Sequence, residues 1–386
     1  MNFIKYIKKK ITTMILRAER KLPIQNKIVL ECESDMEDNP MAFFEYLLSV
    51  GWNEKNKIIW IVKDIDYCSS HYREKNVEFL RRENHKNWIE FIIFNYHIAT
   101  AKWFIISHPW WIQGWRNGQY VVNTTHSVAQ LKQAGNLAEK KICDYVLACS
   151  DYCVEIKKKT FGNHPNYLCL GIPRLDWMLN HCDCKKILLK ERSDKNLILS
   201  METFKQSKNW SDSKSATGYA INVIHNEKDI LELDEFLESI NSVMIVKIHH
   251  LQDLQFLNKI TLKNVMYLQD CDLLKMGLKT NRLLENADVL LTDYSSVFYD
   301  YLLVDRPIGF LLADMELYSR GFIMENPLDE MPGEKIRTLS ELKGFLTKTV
   351  AGEDSLKNER VKIREKVFQY IDDKNCERLY NWMLSK

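Results

Sequence analysis

Short apolar runs alternate with stretches of helical periodicity along most of the chain. A first series of β-rich runs lies at residues 27–30, 58–62, 103–106, 120–122 and 145–148, and helical stretches such as residues 41–50 separate some of them. A second series lies at residues 197–199, 243–246, 265–268, 289–291 and 308–311. This alternation predicts an α/β fold with mostly parallel sheets covered by helices.

A polar, lysine-rich stretch at residues 182–195 separates the two series. We therefore predict two α/β domains, residues 27–185 and 186–353, which face each other across a cleft. Residues 1–26 precede the first domain, and residues 354–386 are predicted to be helical. Ligands of open parallel sheets bind beyond the carboxyl ends of the strands, so we expect the functional site there.

The amino end has a pattern of its own, with seven basic residues and one acidic residue in residues 1–21. Apolar residues recur there at three- and four-residue steps, so a helix would carry one apolar stripe. The flanking basic residues are Lys5, Lys8, Lys9, Lys10 and Arg17. Such a helix is typical of an anionic membrane surface. A first helix packed on its own domain is the alternative.

Composition narrows the possible functions. The 386 residues carry 54 Lys and Arg against 52 Asp and Glu, and this net charge of +2 argues against nucleic acid as a partner. We found neither a run of roughly 20 apolar residues nor a signal-peptide pattern, so we expect a cytosolic protein with reduced cysteines. His181-Cys182-Asp183-Cys184 lacks a second ligand pair at zinc-like spacing, so no metal site is predicted.

The most informative segment is residues 290–301. An apolar strand ends there in Thr292, Asp293, Ser295 and Ser296, and a predicted helix follows. The first N–H groups of that helix and the serine hydroxyls would bind an anion such as a diphosphate. The alternative is that Ser295 or Ser296 only caps the helix.

Two other strands end near histidines. Lys247 precedes Ile248, His249 and His250, and this group combines a fixed positive charge with a side chain that can transfer a proton. In the other predicted domain His126 follows the strand at residues 120–122, where it could be the general base for an acceptor hydroxyl. Together, these strand ends in both halves indicate a cleft.

Several linked motifs resemble the CDP-glycerol glycerophosphotransferase family of teichoic acid and capsule enzymes. The matching segments are residues 292–296, Arg306-Pro307-Ile308, Tyr318 with Arg320-Gly321-Phe322, Pro332-Gly333, Glu33-Ser34 with Asp38-Asn39-Pro40, the G-x-P-R-x-D element at residues 171–176, and Lys247-Ile248-His249. Two motifs depart from the family pattern. Residues 125–132 keep His126 and Leu131-Lys132 but lack the family's Trp, Gly and Pro, and residues 202–205 keep Thr203 but have Lys205 in place of Arg.

The resemblance implies a GT-B-type fold of two Rossmann-like domains, with the acceptor on the first and the CDP-activated donor on the second. It implies a metal-independent transfer, without a cofactor, of glycerol phosphate or another polyol phosphate to a hydroxyl of a polyprenyl-diphosphate-linked acceptor, with release of CMP. The enzyme would be peripheral on the cytoplasmic face of a bacterial membrane, which also favours membrane docking by residues 1–21.

The resemblance also implies roles for individual residues. His126 would be the general base, and His249 would be a second catalytic residue. Other side chains would bind the donor and its phosphates: Arg174, Thr203, Lys205, Lys247, Thr292, Asp293, Ser295 and Ser296. Two alternatives stay open at this stage. One is a GT-B glycosyltransferase that uses a nucleotide sugar in capsule synthesis, and the other is a catalytically idle membrane-bound scaffold, against which the retained His126 and Lys247 argue.

Overall fold

The computed structural model describes residues 21–108, 115–133, 137, 139, 141–203, 206–207, 210–211, 219–248, 260–318 and 321–386. The predicted membrane-docking residues Lys5, Lys8, Lys9, Lys10 and Arg17 lie outside these residues, as do Lys205 and His249. None of the helices in the described ranges combines the length and the apolar character needed to cross a bilayer.

The first series of apolar runs forms a seven-stranded parallel sheet. Its strands are β1 (Gln25–Glu31), β2 (Ile58–Ile61), β3 (Val77–Leu80), β4 (Ala101–Ile106), β5 (Tyr120–Asn123), β6 (Tyr145–Ala148) and β7 (Asn166–Cys169). Their spatial order is β3-β2-β1-β4-β5-β6-β7. Strand β2 is apolar and buried along its whole length, as expected for a parallel strand covered on both faces. The strand order reverses between β1 and β4, which makes this point the expected ligand crevice of the sheet.

Helices cover this first sheet. They are α1 (Asp38–Ser49), α2 (Ile65–His71), α3 (Trp88–Thr100) and α4 (Asp151–Phe161). Two short helices follow, α5 (Asp176–Leu179) and α6 (Cys184–Leu189), and both contact the helix Thr280–Asn286 of the second half. Polar side chains cap the starts of α3 and α4: Asn87 accepts a hydrogen bond from the Glu90 N–H at α3, and Ser150 accepts one from the Cys153 N–H at α4.

The second series forms a six-stranded parallel sheet with a two-stranded hairpin beside it. The strands are β8 (Asn196–Met201), the hairpin β9 (Gln206–Ser207) and β10 (Trp210–Ser211), β11 (Ser242–Lys247), β12 (Val265–Leu268), β13 (Val289–Thr292), β14 (Ile308–Leu311) and β15 (Glu334–Ile336). The sheet order is β12-β11-β8-β13-β14-β15, so the reversal lies between β8 and β13. The covering helices are α7 (Glu227–Ser239), α8 (Asp270–Lys275), α9 (Thr280–Asn286), α10 (Val297–Tyr301) and α11 (Leu339–Val350).

The C-terminal segment returns to the first sheet. The one helical segment predicted for residues 354–386 is two helices, α12 (Lys357–Val367) and α13 (Asn375–Leu384). The Trp382 ring contacts the Trp103 ring at a centroid distance of 5.7 Å. The Asp176 carboxylate accepts hydrogen bonds from the backbone N–H groups of Asn375 (2.9 Å) and Cys376 (2.8 Å) and so caps α13. The end of the chain is therefore part of the first half of the fold.

Part of the G-x-P-R-x-D element explains this attachment. Gly171 has φ +79°, and a Cβ atom there would lie 1.7 Å from Asn375 Oδ1. Only glycine allows this close approach of α13.

The sequence pattern located most central strands, although it missed β3, β7, β15 and the two hairpin strands β9 and β10. Strands β3 and β7 lie at the two edges of the first sheet, and β15 lies at an edge of the second. The side chains of β3 are only half-buried, so this strand has a weaker version of the continuous apolar run that reveals a central strand.

Candidate active site

Loops at the carboxyl ends of strands from both sheets meet at one cleft. Arg174 follows β7 in a 3₁₀ turn and contacts both halves of the chain. Its Nε donates to Asp300 Oδ2 on α10 at 2.9 Å, and its second amino group also binds the Asp300 carboxylate. Its remaining amino group donates to Asp38 Oδ1 (2.5 Å) and to the His126 carbonyl oxygen (2.7 Å). A second link joins Lys132 Nζ to Thr203 Oγ1 at 2.9 Å.

His126 lies in a loop whose backbone is strained just before it. Thr125 has φ +55°, a conformation that is rare for a β-branched residue and costs roughly 1–3 kcal/mol. Four hydrogen bonds hold it. Its N–H donates to Asn123 Oδ1 (2.7 Å), and its carbonyl accepts from Asn39 Nδ2 (2.6 Å). Its hydroxyl accepts from Lys157 Nζ (2.9 Å) and donates to the Ser127 carbonyl (3.0 Å). These contacts fix the position from which the His126 side chain projects.

The surroundings of His126 favour its neutral form. The side chain is exposed to solvent, yet it lies deep among the loops around it. Loss of hydration there lowers the pKa of His126 below its usual 6.5. The Asp38 and Glu33 carboxylates oppose this shift, while Arg174 and Lys157 reinforce it. A neutral imidazole at neutral pH can accept a proton, which a general base requires.

The reversal point of the second sheet is organised by Asp293. This buried carboxylate accepts hydrogen bonds from the Thr203 N–H (2.9 Å), the Thr203 hydroxyl (2.9 Å) and the Ser295 N–H (2.9 Å). The buried Thr292 hydroxyl donates to the Met201 carbonyl at 2.6 Å. Both groups are fully buried and bonded to protein atoms, and their direct contacts with phosphate stay a prediction. They tie the loop after β8 to the loop after β13.

Ser295 and Ser296 are half-buried at this same point. Ser296 occupies the N-cap position of α10, but its side chain makes no capping hydrogen bond, and α10 has only five residues. The interpretation of Ser296 as a helix cap is therefore wrong for its side chain. Both hydroxyls remain available for a ligand as far as the described residues go.

Lys247 is the last residue of β11, and its side chain is paired with a carboxylate. Its Nζ donates to Asp270 Oδ1, the first residue of α8, at 2.5 Å. Glu37, from the loop after β1, lies across the cleft, where Lys279 Nζ is 3.8 Å from its Oε1. Burial raises the pKa of Glu37 to about 7; Lys279 and Lys247 oppose this rise and Asp270 adds to it.

Phosphate binding by Arg174 also stays a prediction. Its guanidinium already faces the carboxylates of Asp38 and Asp300 and is nearly buried, so its observed role is to join the two halves and to hold the His126 carbonyl.

Sequence reasoning missed Asp300, Asn39, Glu37 and Lys157. Lys157 gave no signal, because it stands among three consecutive lysines on a helix and resembles a solvated face. Asn39 belongs to the motif Asp38-Asn39-Pro40, which was noted without a role.

No three His, Cys, Asp or Glu side chains of the described residues cluster as metal ligands. All ten cysteines are free thiols. His181 is bound to Glu285 (Nδ1 to Oε1, 2.7 Å) rather than to the neighbouring cysteines.

Two facing Rossmann-like halves with loops of both along one cleft define the GT-B type of architecture, which nucleotide-dependent transferases use. The family model described as CDP-Glycerol:Poly(glycerophosphate) glycerophosphotransferase matches residues 14–385, and the chain belongs to this family. The resemblance inferred from the motifs is thus confirmed.

Curated relatives are similar over most of the chain. A teichoic acid poly(glycerol phosphate) polymerase of Bacillus spizizenii is 27% identical over 320 residues, which cover 74% of this chain and 73% of the relative. A teichoic acid glycerol-phosphate transferase of Staphylococcus aureus is 24% identical over 376 residues, with 90% and 89% covered. The chain covers only 46% of the similar polymerase of Bacillus subtilis, at 24% identity and with 87% of this chain covered.

Solved structures confirm the predicted fold type. A variant of the wall teichoic acid polymerase TagF has a TM-score of 0.73 at 18% identity, with 99% of this chain and 96% of that chain covered. A UDP-GlcNAc 2-epimerase from Neisseria meningitidis has a TM-score of 0.54 at 11% identity, with 93% and 100% covered. At these identities the likeness concerns the fold alone.

Proposed function

We propose that this protein transfers glycerol phosphate, or another polyol phosphate, from a CDP-activated donor to a hydroxyl of a lipid-linked acceptor, in teichoic acid or capsule-like polymer synthesis. The observation that carries the proposal is the position of His126, which is exposed in the cleft of a chain that belongs to the glycerophosphotransferase family. The names of the relatives point to the same chemistry, and a TagF variant has been soaked with CDPG.

In the proposed reaction, His126 accepts the proton of the acceptor hydroxyl. The oxygen attacks the phosphorus that carries the polyol, and the bond from this phosphorus to the bridging oxygen of the diphosphate breaks. CMP leaves with that oxygen. The lowered pKa of His126 suits this role, since the neutral imidazole predominates at neutral pH.

Positive charge must balance the charge that develops on the departing CMP. We assign this role to Lys247 because it ends β11 at the carboxyl edge of the second sheet, where its Nζ is paired with Asp270 and acts on the pKa of Glu37. Lys205 and His249 keep their predicted roles in this proposal as ligands of the diphosphate. The hydroxyls of Ser295 and Ser296 would donate to donor phosphates, at the β8–β13 reversal point where parallel sheets bind nucleotides.

Three further residues act by holding other groups in position. Asp293 holds Thr203 and the Ser295 N–H in place, so the loops after β8 and β13 keep a fixed relation. Arg174 and Lys157 hold the loop around His126 through its carbonyl and the Thr125 hydroxyl. Preorganised groups of this kind lower the cost of reaching the transition state.

A panel of donors tests the proposal. The protein is incubated with a polyprenyl-diphosphate-linked acceptor and, separately, CDP-glycerol, CDP-ribitol, UDP-sugars and a CMP-sugar. We expect consumption of a CDP-polyol only. Consumption of a nucleotide sugar instead would support the glycosyltransferase alternative, and consumption of none would support a scaffold without catalysis.

We also propose that residues 1–21 dock the enzyme on an anionic membrane. Each basic residue near anionic lipid contributes on the order of 1 kcal/mol, and seven lie in this segment. The full chain should sediment with phosphatidylglycerol vesicles, and a variant lacking residues 1–21 should stay in the supernatant. A variant with Lys8, Lys9 and Lys10 changed to Gln should bind less at low salt. Full sedimentation of the truncated variant would exclude this segment as the anchor.

A further inference from the structure

A second crevice of the molecule has no role in the chemistry above. A cavity of about 750 Å³ lies beyond the carboxyl ends of β1 to β4, and its lining includes Glu31, Lys63, Arg81, Arg82 and His108. This is where the strand order of the first sheet reverses. Parallel sheets bind ligands at such points, and the volume is typical of a small-molecule site.

The cavity has a polar lining that includes buried groups. The Glu31 side chain is only 6% exposed, and its carboxylate lies 3.3 Å from an Arg82 amino nitrogen and 3.6 Å from His108 Nε2. His108 Nδ1 and Arg81 Nε are buried without a hydrogen-bond partner in the described part of the chain. Buried polar atoms without partners are rare in proteins, so these two are candidates for a ligand's hydroxyl groups.

The cavity lies close to the proposed general base. Glu31 is in register with Ile106 of β4, which is in register with Asn123 of β5. Two strand spacings separate β1 from β5, which is roughly 10 Å. His126 follows Asn123 by three residues, and Glu33 of the cavity acts on its pKa. A molecule in the cavity would therefore be within reach of His126 along the carboxyl edge of the first sheet.

The charges of the lining indicate the kind of ligand. Glu31, Glu33, Asp35 and Glu83 offset the positive charges of Lys63, Arg81 and Arg82. A phosphate site would need an excess of positive charge. Here carboxylates, which accept hydrogen bonds, lie beside guanidinium groups, which donate them. This arrangement suits a ligand with several neighbouring hydroxyl groups, because each hydroxyl both donates and accepts a hydrogen bond.

We infer that this cavity binds an uncharged, hydroxyl-rich unit of the acceptor, a sugar or a polyol, and so orients the acceptor's free hydroxyl toward His126. This assignment rests on the proposed function for its link to turnover. The binding itself does not depend on catalysis.

The kinetic test separates acceptor from donor. In Glu31→Gln and Arg82→Met, KM for the lipid-linked acceptor should rise about 10-fold or more, which is the range expected for a lost hydrogen bond to a charged group. KM for the CDP-polyol should stay within about 2-fold of the wild-type value. The matched control is Asp66→Asn, which removes one negative charge from an exposed position on α2 and should change neither constant. Arg82 is 39% exposed, so its variant should fold even if Glu31→Gln does not.

An unchanged acceptor KM in the folded variants, or an equal rise in the donor KM, would overturn the assignment. If the wild-type protein consumes no CDP-polyol, the proposed function fails. A separate binding measurement then tests whether the cavity binds hydroxyl-rich molecules. Saturation-transfer NMR with glycerol and N-acetylglucosamine should show contacts in the wild-type protein that Glu31→Gln loses and that added CDP leaves unchanged. Signals equal in both proteins, or displaced by CDP, would refute the cavity as a separate hydroxyl-binding site.

Discussion

The ion pair between Arg174 and Asp300 joins the two halves of the fold, and its removal gives a quantitative prediction. Arg174 is 10% exposed and Asp300 is 3% exposed at the side chain. Arg174→Met would leave the Asp300 carboxylate buried with Asn281 Nδ2 as its remaining described partner, at 3.1 Å. Breaking a buried pair in this way typically costs 3–5 kcal/mol, because one charge stays buried without compensation, so we expect a loss of about 3–5 kcal/mol in the free energy of unfolding.

A double-mutant cycle separates this penalty from a simple loss of contact. Asp300→Asn removes the buried charge while keeping the shape of the side chain. In the double variant the uncompensated carboxylate is absent, so the double variant should be about 2 kcal/mol more stable than the sum of the two single losses predicts. The control is Lys158→Met, which breaks an exposed pair with Glu155 and should cost within about 0.5 kcal/mol.

Urea unfolding followed by tryptophan fluorescence measures these free energies. CDP binding by calorimetry shows whether the donor side stays folded. Additive losses within about 0.5 kcal/mol would refute the buried ion pair as the connection between the halves. A loss for Arg174→Met no larger than that of Lys158→Met would refute it as well.

Three further predictions concern the cleft. His126→Ala should lower turnover of the CDP-polyol by about 100-fold or more, as expected for a general base. The control is His181→Ala, a change at an exposed histidine, which should leave turnover unchanged. Turnover equal to that of the wild-type protein in a folded His126→Ala variant would remove His126 from the mechanism. Ser296→Ala should weaken CDP binding more than it lowers kcat, and equal calorimetric affinities in both proteins would contradict this. For Glu37, the pKa of about 7 lies above the usual 4.5, so the folded state holds the proton more tightly and loses up to about 3 kcal/mol of stability as pH rises from about 4.5 to 7. Glu37→Gln should abolish this loss, and parallel stability–pH curves for the two proteins would exclude it.

The sequence predicted the architecture because central parallel strands are buried on both faces and form continuous apolar runs. Strand β2 is an example, and its bounds differ from the predicted ones by a single residue. The edge strand β3 was missed because its half-buried side chains include the polar Glu78. The break between α12 and α13 has a tertiary cause, since Asp176 of a distant element caps the second helix.

The sequence predicted the location of the candidate site better than the contacts of its individual residues. Motifs located the loops after β5, β8 and β13, since their polar residues follow apolar runs directly. The direct phosphate contacts of Arg174, Thr292 and Asp293 stay predictions. Their observed protein partners could not be predicted, because burial and side-chain partners depend on how distant loops pack. Asp300, which binds Arg174 across 126 positions of sequence, has no local pattern that reveals it.

The identity of the released nucleotide tests the central claim most directly. A polyol-phosphate transferase breaks the bond within the diphosphate, releases CMP and adds a phosphate to the acceptor. A glycosyltransferase breaks the bond to the sugar and adds no phosphate to the acceptor; it releases UDP from a UDP-sugar and CMP from a CMP-sugar. The donor that the protein consumes is incubated with lipid-linked acceptor, and the nucleotide product is identified by ³¹P NMR and mass spectrometry. We predict CMP in equal amount to the polyol phosphate gained by the acceptor. Release of a nucleoside diphosphate, or CMP without gain by the acceptor, would contradict the account.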